Sequence, residues 1–73
     1  MFVSRIGNRF IASFDVANLL GKVIENTENT KLVFESVDET TANSEMLVEG
    51  DVKKVEESVA SMGIPCLTMK GVI

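Results

Sequence analysis

Residues 48–65, which read VEGDVKKVEESVASMGIP, predict a complete short helix with both of its ends marked. Gly50 ends the preceding strand, and Asp51 is a favourable N-cap whose negative charge also suits the positive end of the helix dipole. Gly63 is typical of the residue that follows a helix, and Pro65 cannot continue one. A spacing of three and four residues predicts one apolar face toward a core: Val52, Val55, Val59 and Met62.

An earlier segment predicts another amphipathic helix, which ends within residues 25–29. Asp15 precedes its apolar stripe and can cap the free N–H groups at the helix start, and Ser13 is the other candidate. The small residues Ala17 and Gly21 are predicted to lie on the side away from the stripe, where another backbone or a ligand can come close. The stripe has the spacing of a core-facing helix: Val16, Leu19, Leu20, Val23 and Ile24.

Four further segments have strand character. Residues 2–6 alternate in polarity, as a half-buried strand does. Residues 31–37 are apolar and β-branched, which predicts an interior strand, and a turn at 38–44 connects them to a hairpin partner at 45–49. Residues 66–70 predict the last strand. That strand is expected to direct two side chains to one face: Leu67 and Met69.

The segment between the first strand and the first helix allows two interpretations. Gly7-Asn8 favours a tight turn, because both residues tolerate positive φ. Residues 9–14, RFIASF, are then either the second strand of a hairpin or a long approach to the helix. The sequence alone leaves both open.

The element order predicts one α+β domain over residues 1–73, with the ferredoxin-like split βαβ arrangement. In this arrangement two helices cover one face of a mainly antiparallel sheet of four or five strands. The other face is then either solvated or buried by a partner.

Self-association is predicted from the balance of size and apolar content. A chain of 73 residues buries little more than half of its unfolded surface, so its core alone gives marginal stability. Hydrophobic residues make up 45% of the sequence, and the mean hydropathy is +0.21. The single cysteine, Cys66, excludes an internal disulfide. We therefore expect a homo-oligomer.

Charge and composition argue against several partners. The formal net charge is −4 and the chain has no Trp or Tyr, so neither a nucleic acid nor an acidic membrane surface is an expected partner. No apolar run has the length of a membrane span, and Arg5 and Arg9 interrupt the N-terminal segment, which is not a signal peptide. An unpaired cysteine then favours a reducing cytoplasm.

No arrangement of residues predicts catalysis. The chain has no histidine, and Cys66 has no cation nearby in sequence, so it is expected to be a small buried residue. The carboxylates between residues 38 and 51 lack the ligands and the glycine of a calcium loop, and the glycines form no phosphate-binding run. We therefore expect a non-enzymatic chain with no metal ion and no cofactor.

The turn after the first strand is the candidate for ligand contacts. Free N–H groups in the turn at Gly7, the side-chain amide of Asn8 and the guanidinium of Arg9 could hold a small anion or an amino acid.

Residues 3–8, followed by residues 15–26, resemble the first strand and the ligand-side helix of ACT-type domains, the small ligand-binding modules of amino-acid metabolism. Ligands of that family lie between the turn and the neighbouring subunit. The resemblance therefore implies a ligand-sensing, regulatory homo-oligomer that binds an amino-acid-like small molecule. The residues that it places at the ligand are Gly7, Asn8, Asp15 and Ala17.

A competing resemblance lies in residues 47–59, LVEGDVKKVEESV, which are similar to the strand-to-helix segment of bacterial microcompartment shell proteins. The hairpin before this segment, starting at Leu32, has a similar length. This resemblance implies a self-assembling structural protein in which residues 9–14 form the strand before the first helix. A third alternative is an adaptor subunit of a larger enzyme.

Overall fold

A computed structural model describes residues 2–69 of the chain. It contains five strands and two helices, in the order β1 (Val3–Ile6), β2 (Arg9–Ser13), α1 (Phe14–Asn26), β3 (Thr30–Asp38), β4 (Asn43–Gly50), α2 (Val52–Ser61) and β5 (Cys66–Met69). This α+β composition confirms the predicted fold class. Of the two alternatives for residues 9–14, the structure shows a second hairpin strand. The predicted position 70 of the last strand lies outside the described residues.

The five strands form one mixed sheet in the order β3-β4-β2-β1-β5. β1 pairs antiparallel with β2, and β4 pairs antiparallel with both β2 and β3, so the predicted hairpin of β3 and β4 is confirmed. β1 also pairs parallel with β5, with Val3 opposite Cys66. As a result β4 lies between β2 and β3, and β1 lies between β2 and β5.

Both helices cover one face of the sheet, and the hydrophobic core lies between this face and the helices. Strand alternation turns every second side chain toward the helices, as at Ser44, Met46 and Val48 of β4. Phe10 and Ala12 occupy the matching positions of β2. The helices contribute six buried residues to this core: Val16, Ala17, Leu20, Ile24, Val55 and Val59.

The buried side of α1 differs from the predicted stripe. Ala17 is buried at 4% exposure, whereas Leu19 is 38% exposed, so the expectation that Ala17 faces away from the core is wrong. The helix packs on β2, β3 and β4 as well as on α2, and the small Ala17 side chain lets its backbone approach the sheet. Ser13 occupies the N-cap position without a side-chain cap hydrogen bond, and Asp15 lies in the first helical turn.

The start of α2 is confirmed, but one of its predicted core residues is exposed. The Lys54 backbone N–H donates to Asp51 Oδ1 at 3.3 Å, the expected cap. Val55 and Val59 are buried. Met62 is 49% exposed, because it lies one residue beyond the helix, where the chain turns away. Neither helix within residues 2–69 has the length and apolar character needed to cross a membrane.

The predicted interior position of β3 is wrong. β3 is an edge strand, because β4 occupies the place between it and β2, and none of its nine residues is buried. Apolar side chains consequently remain exposed on it, including Val33, Phe34 and Val37. β5 is the other edge strand, and its Leu67 is 53% exposed.

Candidate functional site

The turn between β1 and β2 is held by the chain's own donors. Arg5 Nη1 donates to the Gly7 carbonyl oxygen at 2.6 Å, and the Val48 backbone N–H donates to the Asn8 carbonyl oxygen at 2.9 Å. Both carbonyls of the turn are therefore occupied, while the side chains of Asn8 and Arg9 are exposed.

The five predicted ligand residues lie in two places. Gly7, Asn8 and Arg9 lie together at one end of β2, and Asp15 follows the opposite end of that strand. A five-residue strand is about 16 Å long, so these two groups do not meet within one chain. Ala17 is buried on the helix side of the sheet. Ligand binding at the turn stays a prediction.

A groove lies between α1 and the β3–β4 hairpin and offers space for a small ligand. It has a volume of about 340 Å³ and opens between the N-terminal half of α1 and the sheet. Both residues of the small-residue pair that the sequence singled out, Ala17 and Gly21, lie in it. The lining residues are Phe14, Ala17, Asn18, Gly21, Glu35, Val37, Ser44 and Met46.

The groove is open because α1 presents small residues to the hairpin. A Cβ atom built on Gly21 would lie 4.0 Å from Met46 Cε, which is ordinary van der Waals contact. One methyl group would therefore fit at this position, and a longer side chain would fill the groove. Ala17 and Gly21 both line this groove, so the pair lies on the side of the helix opposite to the one predicted, and the close approach of a ligand there stays a prediction.

The polar lining of the groove can hold a hydrogen-bonding ligand. Asn18 supplies an amide, Ser44 a hydroxyl and Glu35 a carboxylate, and no lining residue is basic. Glu35 lies on the exposed edge strand, where its side chain is accessible. This arrangement suits an amine or ammonium group better than an anion, because Glu35 is the one charged group of the lining.

A separate polar cluster fixes α2 to the two neighbouring strands. Arg5 Nε of β1 lies 2.9 Å from Glu56 Oε2 of α2, and Thr68 Oγ1 of β5 donates to Glu56 Oε1 at 2.6 Å. The Nε–H of Arg5 has no aligned hydrogen-bond acceptor, so its contact with Glu56 is an ion pair rather than a well-formed hydrogen bond. This cluster joins three elements: β1, α2 and β5.

The environment of Cys66 disfavours nucleophilic chemistry. Burial raises the pKa of this thiol above its ordinary value, Glu56 raises the pKa further, and Arg5 partly offsets both effects. Because the thiolate is the reactive form, a raised pKa keeps Cys66 a poor nucleophile near neutral pH. The folded state retains this proton to higher pH than the unfolded state. Its contribution to stability is therefore complete below the unfolded pKa and is lost as pH rises through the folded pKa.

Within residues 2–69 no group of three or more Cys, Asp or Glu side chains is arranged to hold a metal ion.

No family model matches the chain. No curated protein and no solved structure shows significant similarity to it either.

Proposed function

We propose that the chain is a non-enzymatic, homo-oligomeric binding module whose groove between α1 and the β3–β4 hairpin takes a small, amine-bearing, amino-acid-like ligand. The single observation that supports this is the mixed polar and apolar groove around Ala17 and Gly21. We further propose that the fold is a ferredoxin-like split βαβ unit formed by β2, α1, β3, β4, α2 and β5, with β1 as an added strand between β2 and β5.

The size of the groove favours a ligand of amino-acid dimensions. Ligand sites in proteins have volumes of roughly 300 to 1,000 Å³. At about 340 Å³ the groove lies at the lower end of this range. A nucleotide or a larger cofactor would extend far beyond it, whereas an amino acid fits within it.

The charge of the groove favours recognition through an amine. An ammonium group on the ligand would pair with Glu35, and the Asn18 amide and the Ser44 hydroxyl would accept or donate further hydrogen bonds. The apolar part of the ligand would contact Val37 and Met46.

Three matched probes test this proposal. L-leucine and L-leucinamide carry the amine, and 4-methylpentanoate has the same side chain and carboxylate without it. The proposal predicts that millimolar L-leucine and L-leucinamide raise the melting temperature and that 4-methylpentanoate does not. Glu35→Gln should remove the response to both amines. Equal shifts with all three probes, or none with any of them, would contradict the proposal.

Gly21→Ala is expected to stabilise the fold while weakening ligand binding. Alanine is favoured over glycine inside a helix by about 1 kcal/mol, and the added methyl group meets Met46 Cε at an ordinary distance. The melting temperature should therefore rise by a few degrees. The affinity for L-leucine should fall, because the methyl group narrows the groove. Asn26→Ala, near the far end of α1, is the control for helix propensity and should leave the affinity unchanged.

The alternative of a self-assembling shell-type protein has one observation in its favour. Residues Arg9–Ser13 form the strand directly before α1, as that alternative expects. Under it, electron micrographs of the purified protein should show hexamers or extended layers, and a discrete dimer would count against it.

A further inference from the structure

The sheet face opposite the helices is uncovered and carries several large, exposed apolar side chains. Phe2 is 54% exposed, Phe34 is 61% exposed and Leu67 is 53% exposed, although all three are large hydrophobic residues. Strand alternation and register place Ile6, Ile11 and Leu47 on the same face. This face is called here the open sheet face, and polar residues of the same strands lie between its apolar side chains.

Two charged residues of opposite sign lie within the central pairing of β2 with β4 on the open sheet face. Arg9 is opposite Leu47 in the pairing of β2 with β4, and Ile11 is opposite Glu45, so all four share this face. Within residues 2–69 the one ion pair joins Arg5 to Glu56, and neither Arg9 nor Glu45 takes part in it. Further charged residues of this face lie toward its rim: Lys31, Asp38 and Glu49.

The dimensions of the open sheet face determine whether Arg9 and Glu45 become covered in an assembly. Five strands spaced by about 4.8 Å, each with about five residues at 3.3 Å, give a face of roughly 24 by 17 Å, or about 400 Å². Two such faces cover on the order of 800 Å² in projection, which is below the roughly 1,200 to 2,000 Å² that specific interfaces bury. Because the face is so small, a stable contact must use all of it. The inner strands are then covered by the second copy.

From this we propose that the open sheet face packs against the same face of a second copy, with Arg9 of each copy paired to Glu45 of the other. This rests on the homo-oligomeric part of the proposed function and names its surface. Covering either charge without a partner would carry a large desolvation cost, and two reciprocal pairs remove that cost. A second copy supplies both charges on a surface of matching size, as a two-fold interface requires.

Charge exchange tests this interface. Arg9→Glu and Glu45→Arg each place like charges opposite one another across the two-fold, so each should weaken self-association by about tenfold or more in sedimentation equilibrium. The double variant restores opposite charges and should return the dissociation constant to near that of the wild type. Lys53→Glu makes the same change of charge on the exposed side of α2 and should have no effect.

The fold of each variant and its ligand response are measured beside its self-association. Each variant is first checked for an unchanged circular dichroism spectrum, and Phe34→Ser serves as a second disruption that changes no charge. A wild-type monomer at high concentration, single exchanges without effect, or a double variant as weak as the singles would overturn the interface. The melting-temperature response to L-leucine is recorded in parallel. If self-association is lost and the response to L-leucine is retained, only the interface proposal is contradicted.

Discussion

Replacing Gly50 with alanine is expected to be among the most destabilising single substitutions in this protein. A Cβ atom on Gly50 would lie 1.8 Å from the Asn29 carbonyl oxygen and 2.9 Å from Thr30 Cα, both backbone atoms. The residue also has φ +112°, which side chains rarely adopt. The Asn29 carbonyl cannot move away freely, because the Asp51 backbone N–H donates to it at 3.2 Å.

The expected loss is large relative to the total stability. Strain and steric overlap at one position are expected to cost more than about 3 kcal/mol, among the largest effects of single substitutions. A chain of this size has a total stability of roughly 4 to 11 kcal/mol. Urea denaturation followed by circular dichroism measures the difference.

Gly63→Ala is the matched control for Gly50→Ala. Gly63 has φ +84°, but a Cβ atom there would meet nothing within 4 Å. The control therefore carries the left-handed backbone cost of about 1 to 2 kcal/mol without the steric overlap. Equal losses for the two variants would contradict the close approach of β4 to the end of the α1–β3 connection.

Phe10→Ala is the second substitution with a large expected effect. Phe10 is fully buried on β2, and it is the largest of the fully buried side chains. Its truncation removes apolar burial and leaves a cavity, which together cost about 3 to 5 kcal/mol. Thermal denaturation should show a loss of most of the cooperative transition.

Phe34→Ala tests whether the effect of Phe10→Ala depends on burial. The same atoms are removed from a side chain that is 61% exposed on the open sheet face. At concentrations where the protein is monomeric, this variant should melt within a few degrees of the wild type. Similar losses of stability for Phe10→Ala and Phe34→Ala would contradict the burial of Phe10 on the helix side and the exposure of Phe34 on the open sheet face.

Local signals predicted the elements well because their causes are local. Each of these signals acts over a few neighbouring residues: the spacing of Val55 and Val59, the cap at Asp51 and the turn at Gly7-Asn8. The position of β3 was not predictable in this way. Its apolar run is typical of an interior strand, and only the order of strands, which long-range pairing sets, places it at the edge.

The candidate site was predicted only in fragments for the same reason. The small pair Ala17 and Gly21 was recognised from its spacing, but the side of α1 that faces the sheet depends on how the helix packs against three strands. Glu35 and Ser44 come from the hairpin and have no sequence pattern that connects them to α1. The groove exists because the fold brings these separate segments together.

The most direct test of the groove is a nuclear magnetic resonance titration of the ¹⁵N-labelled protein with L-leucine. We predict that backbone amide signals of Asn18, Gly21, Glu35 and Ser44 shift in a saturable way at millimolar ligand, and that those of Gly7, Asn8 and Arg9 do not. Absence of any shift, or shifts confined to the turn at Gly7–Arg9, would contradict this prediction.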